Sequence, residues 1–166
     1  MMTDQRDLIA RLLEQHRAVE SHTERVRGSL ADQEALASLE KARLDWTPGR
    51  FESLLEKRER LRQDLGTLDA GLSEHFQFEE KTLPPLVGEF LARAFRLQHR
   101  HIRREIAEAR STVSDAKLEG LNREDLLVEE SRVQQRISLV LQLVEEHRAN
   151  EELILEMIET VLTEDE

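Results

Sequence analysis

The chain has 166 residues, enough for one domain or two small ones, and 36% of them are charged. Six glycines, three prolines and 4% aromatics leave little material for turns or strands, which argues against an all-β fold. A net charge of −11 disfavours nucleic acid and anionic membrane surfaces as partners, and the lack of cysteine excludes disulfides, thiolate metal sites and cysteine nucleophiles.

The punctuation predicts four helices, over residues 4–43, 48–82, 86–114 and 123–162, in a single domain spanning 1–166. The first is open to interruption near Gly28–Ala31. The break before the second is marked by DWTPGRF at 45–51, where Thr47 can cap, Pro48 suits the first helical position and Trp46 can staple onto Phe51. Pro84 and Pro85 end the second helix, because proline disfavours helical backbone at the preceding Leu83. The third break, Ser114–Asn122, carries Gly120 and the capping candidate Asn122. No internal repeat at a fixed period stands out. No apolar run approaches the ~18 residues of a membrane span. The N-terminal stretch MMTDQRDLIARLLEQ lacks the pattern of a signal peptide, so a cytoplasmic protein is expected.

Each predicted helix carries an apolar stripe stepping by three and four. The first runs Leu8, Leu12, His16, Val19, Thr23, Val26, Leu30. The second runs Leu54, Leu61, Leu65, Leu68, Leu72, His75, Glu79, Leu83. The third runs Leu91, Phe95, His99, Ile102, Ile106, Ala109, Val113. The fourth runs Ile137, Val140, Val144, His147, Glu151, Ile154, Ile158, Val161. Every stripe contains one histidine, and two add a glutamate one turn later. His22 and His101 fall about 240° and 200° around their helices from the stripe histidines, so both are expected in solvent. Glu20 after His16 and Glu105 after His101 read as surface pairs.

The breaks also set the heights of the four stripe histidines. His16 and His75 are 59 residues apart, with a midpoint near residue 46, on the first break. His75 and His99 are 24 apart, with a midpoint at Val87; His99 and His147 are 48 apart, with a midpoint at Arg123. If each break is a tight reversal, all four imidazoles return to one cross-section of an up-down-up-down four-helix bundle. That level lies about 12 residues, or ~18 Å, from the Pro-Pro end. The first hairpin is expected to extend ~30 residues the other way, on the order of 45 Å.

A buried carboxylate without a partner costs several kcal/mol, and two close together cost more. A divalent or trivalent cation would offset that cost. Both His-x-x-x-Glu units, HFQFE at 75–79 and HRANE at 147–151, put their two side chains on one helix face. Four imidazoles and two bridging carboxylates suffice for two metals. The nitrogen and oxygen donors favour iron, manganese or zinc over calcium or magnesium. Leu72, Phe95, Val144 and Ile154 would form an apolar surround that limits water.

The segments LLEQHR at 12–17, HFQFEEKTLPPL at 75–86, LQHRHI at 97–102 and EEHRANEE at 145–152 together resemble the hemerythrin-like (HHE cation-binding) family. The resemblance touches all four helices. It implies an all-α, hemerythrin-like bundle holding a non-haem di-iron centre with an oxo or hydroxo bridge. By it, His16 and His75 would hold one iron, His99 and His147 the other, and Glu79 and Glu151 would bridge. Small diatomic ligands such as O2 or NO are the implied partners, with sensing, redox response or iron handling as the role. Oxygen carriers of that family place a fifth histidine one turn before the third-helix ligand. Here that position is Phe95, so the iron of His99 and His147 would take a water or a nearby carboxylate, Glu80 or Glu20. The long first hairpin would offer a surface for a second copy or a protein partner. Two other functions compete. One is a metal-free helical interaction module. The other is an atypical di-iron oxidase or peroxidase, which is disfavoured because no glutamate here has a histidine three residues later, the spacing ferritin-like enzymes use.

Overall fold

The computed structural model describes residues 2–42, 52–115 and 121–164. They form four helices: α1 (Met2–Ala42), α2 (Glu52–Thr82), α3 (Pro84–Asp115) and α4 (Arg123–Glu164). There is no strand among the described residues. The expected capping and stapling by Trp46, Thr47, Pro48 and Phe51 lies outside the described residues. At the third break the expectation holds: Asn122 Oδ1 accepts from the Asp125 backbone N–H at 2.9 Å, an N-cap that satisfies one orphan donor of α4.

The Pro-Pro break is subtler than expected. Leu83 leaves the helix, as its position before a proline requires. The prolines themselves open a helical turn, since they need no donor there. The Leu86 and Val87 N–H groups bond back to the Leu83 carbonyl at 2.8 and 3.0 Å. The chain then bends again at Gly88, whose φ of 79° suits a residue without Cβ. The interruption to which the first helix was open at Gly28–Ala31 does not occur: α1 is unbroken. A mid-helix glycine costs about 1 kcal/mol, and burial of Val26 and Leu30 on either side of Gly28 offsets it.

The bundle forms because each helix has one apolar face and four such faces can close on one another. α1 packs on α2 and α4, and α3 packs on the same two helices. The stripes of α1, α2 and α3 are the buried faces, with only Leu8 and Leu91 partly exposed. On α4 the stripe holds from Ile137 to Glu151, after which Leu155 is the fully buried residue. Val161 is exposed, since the seam drifts round the helix near its end.

Two apolar clusters fill most of the interior. One joins Leu12, Leu83, Phe95 and Leu155 near the Pro-Pro end. The other, larger one includes Val19, Leu65, Leu72, Phe76, Ile102, Ile137 and Val144. The histidine level lies between them. The far end differs from expectation. Beyond the histidines α1 continues 26 residues and α2 23, but α4 accompanies them for 24, while the described part of α3 ends after 16. Leu36, Leu54 and Leu126 close this end, one from each of the three helices that reach it. A second polar layer lies just inside it. Buried Arg58 donates to Glu130, which also accepts from Gln33 Nε2 at 2.6 Å. Nothing in the periodicity singled out this layer.

Candidate metal centre

Six polar side chains share one buried cross-section: His16 of α1, His75 and Glu79 of α2, His99 of α3, and His147 and Glu151 of α4. Both glutamates are 0% exposed, and no histidine of the set exceeds 5%. The rings pair as His16 with His75, centroids 4.9 Å apart, and His99 with His147, 4.8 Å apart.

All four rings turn Nε2 inward. Glu79 Oε1 meets His75 Nε2 directly and lies 3.4 Å from His16 Nε2. Its other oxygen lies 3.0 Å from His99 Nε2 and 3.6 Å from His147 Nε2. One carboxylate thus spans both histidine pairs. Glu151 Oε2 stands 3.5 Å from both His16 and His147. Two sets of potential donors result, each with ligand atoms within 4.8 Å of one another: His16, His75, Glu79, Glu151, and Glu79, His99, His147.

The opposite face of each ring fixes its tautomer. Nδ1 of His16 donates to Glu152 at 3.1 Å, and Nδ1 of His99 to Glu80 at 2.9 Å. Nδ1 of His75 donates to Gln15 Oε1 at 3.0 Å, and Nδ1 of His147 to Gln98 Oε1 at 2.8 Å. An oxygen of this kind only accepts, so each Nδ1 carries the proton. Where the ring is neutral, its Nε2 lone pair then points into the centre; His16 Nε2 instead bonds Glu79 Oε1 at 3.4 Å, so with no metal bound that ring holds both protons. Outer acceptors of this kind orient histidine ligands in metal sites.

Lone pairs and carboxylates therefore converge on the same space, which is repulsive without a positive charge between them. Glu79 Oε2, both Glu151 oxygens, and Nε2 of His99 and His147 are buried without a hydrogen-bond partner. His99 and Glu79 approach to 3.0 Å without the alignment of a hydrogen bond. Two donors each about 2.1 Å from one ion, at tetrahedral or right angles, lie about 3.0–3.4 Å apart. The neighbouring donor separations here fall between 3.0 and 3.6 Å wherever Glu79 Oε2 or Glu151 is involved. These buried groups could hold a metal ion.

Without a metal the centre draws in protons. Burial pushes the Glu151 carboxyl up to about 8, helped by the charge of Glu79 and opposed by His16. Burial lowers His16, but Glu151 and Glu79 outweigh it and raise the imidazole to about 10. Burial also depresses His147, more than Glu79 can restore. Glu79, although burial opposes it, is held well below the usual carboxylate range by the four histidines around it.

Aromatic rings wall the second pair. Phe76 stacks on His99 at 4.1 Å, and Phe95 meets His147 edge-on at 5.8 Å. Arg103 lies over Phe76 and 3.6 Å from Glu80. Glu80 and Glu20, the two carboxylates considered as extra ligands, are placed elsewhere: Glu80 backs His99, and Glu20 pairs with Arg148 at 3.1 Å. Of the two histidines expected in solvent, His101 is exposed. His22 is half-buried against Gly71. The groove between α1 and α2 admits its ring because residue 71 has no side chain. Glu105 does lie 3.8 Å from His101 as expected, but it is buried and also within reach of Arg104 and Arg136.

The residues not foreseen are the ring-orienting Gln15, Gln98 and Glu152. Their signal was present as Gln-His at 15–16 and 98–99, and Glu-Glu at 79–80 and 151–152. No family model matches this chain, and no significant match exists among the curated proteins or the solved structures.

Proposed function

We propose that the chain is a di-metal binding protein of hemerythrin-like design, with iron as the resident metal and manganese or zinc as the alternatives. The observation that carries the reading is Glu79, fully buried, with one oxygen turned to each histidine pair. In this reading His16 and His75 hold one ion, His99 and His147 the other, and Glu79 and Glu151 bridge. The meeting of α1 start, α2 end, α3 start and α4 end around Leu12, Leu83, Phe95 and Leu155 supports the up-down-up-down order.

Iron ions held by these residues would supply electron exchange and binding of a diatomic ligand. The protein contributes the rest. Gln15, Gln98, Glu80 and Glu152 keep each Nε2 free to coordinate. Phe76, Phe95, Leu72 and Val144 keep bulk water away. The role that follows is response to O2, NO or redox state, or iron handling. Elemental analysis and an optical spectrum of aerobically purified protein test it. Two irons per chain with an oxo-bridged absorption are expected. A colourless, metal-free protein that a chelator does not destabilise would refute it and leave a helical interaction module. Turnover of peroxide or an oxidisable substrate would move the assignment to a di-iron oxidase or peroxidase.

A further inference from the structure

The centre is built from two similar halves. Gln15 and His16 on α1 match Gln98 and His99 on α3, 83 positions on; His75, Glu79 and Glu80 on α2 match His147, Glu151 and Glu152 on α4, 72 positions on. The bonding obeys the same exchange. Gln15 backs His75 as Gln98 backs His147, and Glu152 backs His16 as Glu80 backs His99. The unequal offsets explain why no fixed period shows in the sequence.

The halves part company on their outer grooves. Between α1 and α2 lies a half-enclosed cavity of about 180 Å³, bounded by Ala18, Val19, Gly71 and Glu74 and reaching Gln15 and His75. That is room for a handful of water-sized molecules. The matching positions between α3 and α4 are occupied. Leu143 stands where the first half has Gly71 and packs on the central apolar cluster, and His101 stands where it has Ala18. The cavity's inner wall is the Gln15–His75 hydrogen bond, the outer support of one centre ligand. His22 forms a side wall, with its Cδ2 2.9 Å from where a Cβ on residue 71 would stand. Glycine at 71 is thus needed to keep both the ring and the space. The exposed Glu74 carboxylate at the rim disfavours anions.

We propose that this α1/α2 cavity is a holding site and port through which small uncharged molecules, of the size of O2, NO or hydrogen peroxide, reach the His16–His75 side of the centre. The proposal rests on the metal reading above. Its occupants need no charge, since Val19 and Ala18 offer apolar wall, and on the α3/α4 side the side chain of Leu143 takes the position of Gly71.

The test uses Gly71→Leu, which copies the filled half, and Ala18→Leu, which narrows the mouth without touching the helix interior. His101→Leu is the control on the other groove. Metal content is measured first, and two ions per chain in all four proteins is the expected result; a metal-free wild type overturns the centre and the port with it. Crystals of metal-free protein under xenon pressure should show xenon beside Ala18 and Gly71 in wild type and none in Gly71→Leu. In reduced, iron-loaded protein, NO association should slow about tenfold or more in both plugged variants and stay unchanged in His101→Leu. If Gly71→Leu does not fold, Ala18→Leu carries the kinetic comparison. Wild-type NO rates in a metal-loaded, plugged variant would overturn the port.

Discussion

Glu79 Oε2 stands 3.0 Å from His99 Nε2, in a part of the bundle closed to water, without forming a hydrogen bond. Two acceptors held this close need a cation between them, or a proton on one of them. Twenty residues and a double proline separate the two, so the approach is set by how α2 and α3 pack.

Glu79 touches all four histidines, whereas Glu151 reaches His16 and His147. Glu79→Gln keeps the shape and removes the charge. It should abolish binding of both metals, while Glu151→Gln retains a larger fraction and His101→Ala retains all. Elemental analysis of the purified variants decides it, and wild-type metal content in Glu79→Gln would sink the bridging role.

The residues behind the rings should matter at a smaller scale. Glu80→Ala or Glu152→Ala removes the acceptor that holds His99 or His16. Such outer partners are worth about 10- to 100-fold in metal affinity. Competition with a chelator of known strength measures the loss. Glu80→Gln should recover part of it, because an amide oxygen still accepts from Nδ1.

Metal and protons should compete for the centre. His16 and Glu151 both have folded-state pKa values above their ordinary ones, at about 10 and about 8. Stability tied to their bound protons is complete below the ordinary values of 4.5 and 6.5. It is lost as pH rises, through 4.5 to 8 for Glu151 and 6.5 to 10 for His16. Metal-free protein should therefore melt at lower temperature as pH rises above 6.5, where the depressed His147 no longer opposes the fall, and metal uptake should release protons and tighten with pH. Glu79, held low, acts oppositely and weakens the fold only in acid. Thermal melts after chelator treatment check the slope; a metal-free melting temperature that climbs from neutral to alkaline pH contradicts it.

The far polar layer should be structural. Arg58 is 5% exposed and is bonded to Glu130, with Nε and Nη1 left without partners. Glu130→Ala leaves a buried guanidinium unpaired and should cost about 3–5 kcal/mol in a urea melt. The double change Arg58→Met with Glu130→Gln removes the charge and leaves Gln33 an amide partner, so it should cost much less. Metal content should not change in either. Gln33, Arg58 and Glu130 each lie 17 residues from the histidine of their own helix, about 25 Å along the axis.

The sequence by itself determined the helices and their buried faces. Periods of three and four expose one apolar stripe per helix, and that stripe has only other stripes to pack against. Because the breaks bisect the histidine spacings, it also determined that His16, His75, His99 and His147 would share a level with Glu79 and Glu151. Packing decided the rest. Helical periodicity gives a direction around the axis, and it is silent on which neighbour fills that direction. It therefore placed His22 in solvent, where a glycine across the groove admits the ring, and it gave no sign that Glu80 backs His99. The Gln15, Gln98 and Glu152 contacts, the Arg58–Glu130 layer and the open α1/α2 groove all arise between helices, so they exist only once the bundle has closed.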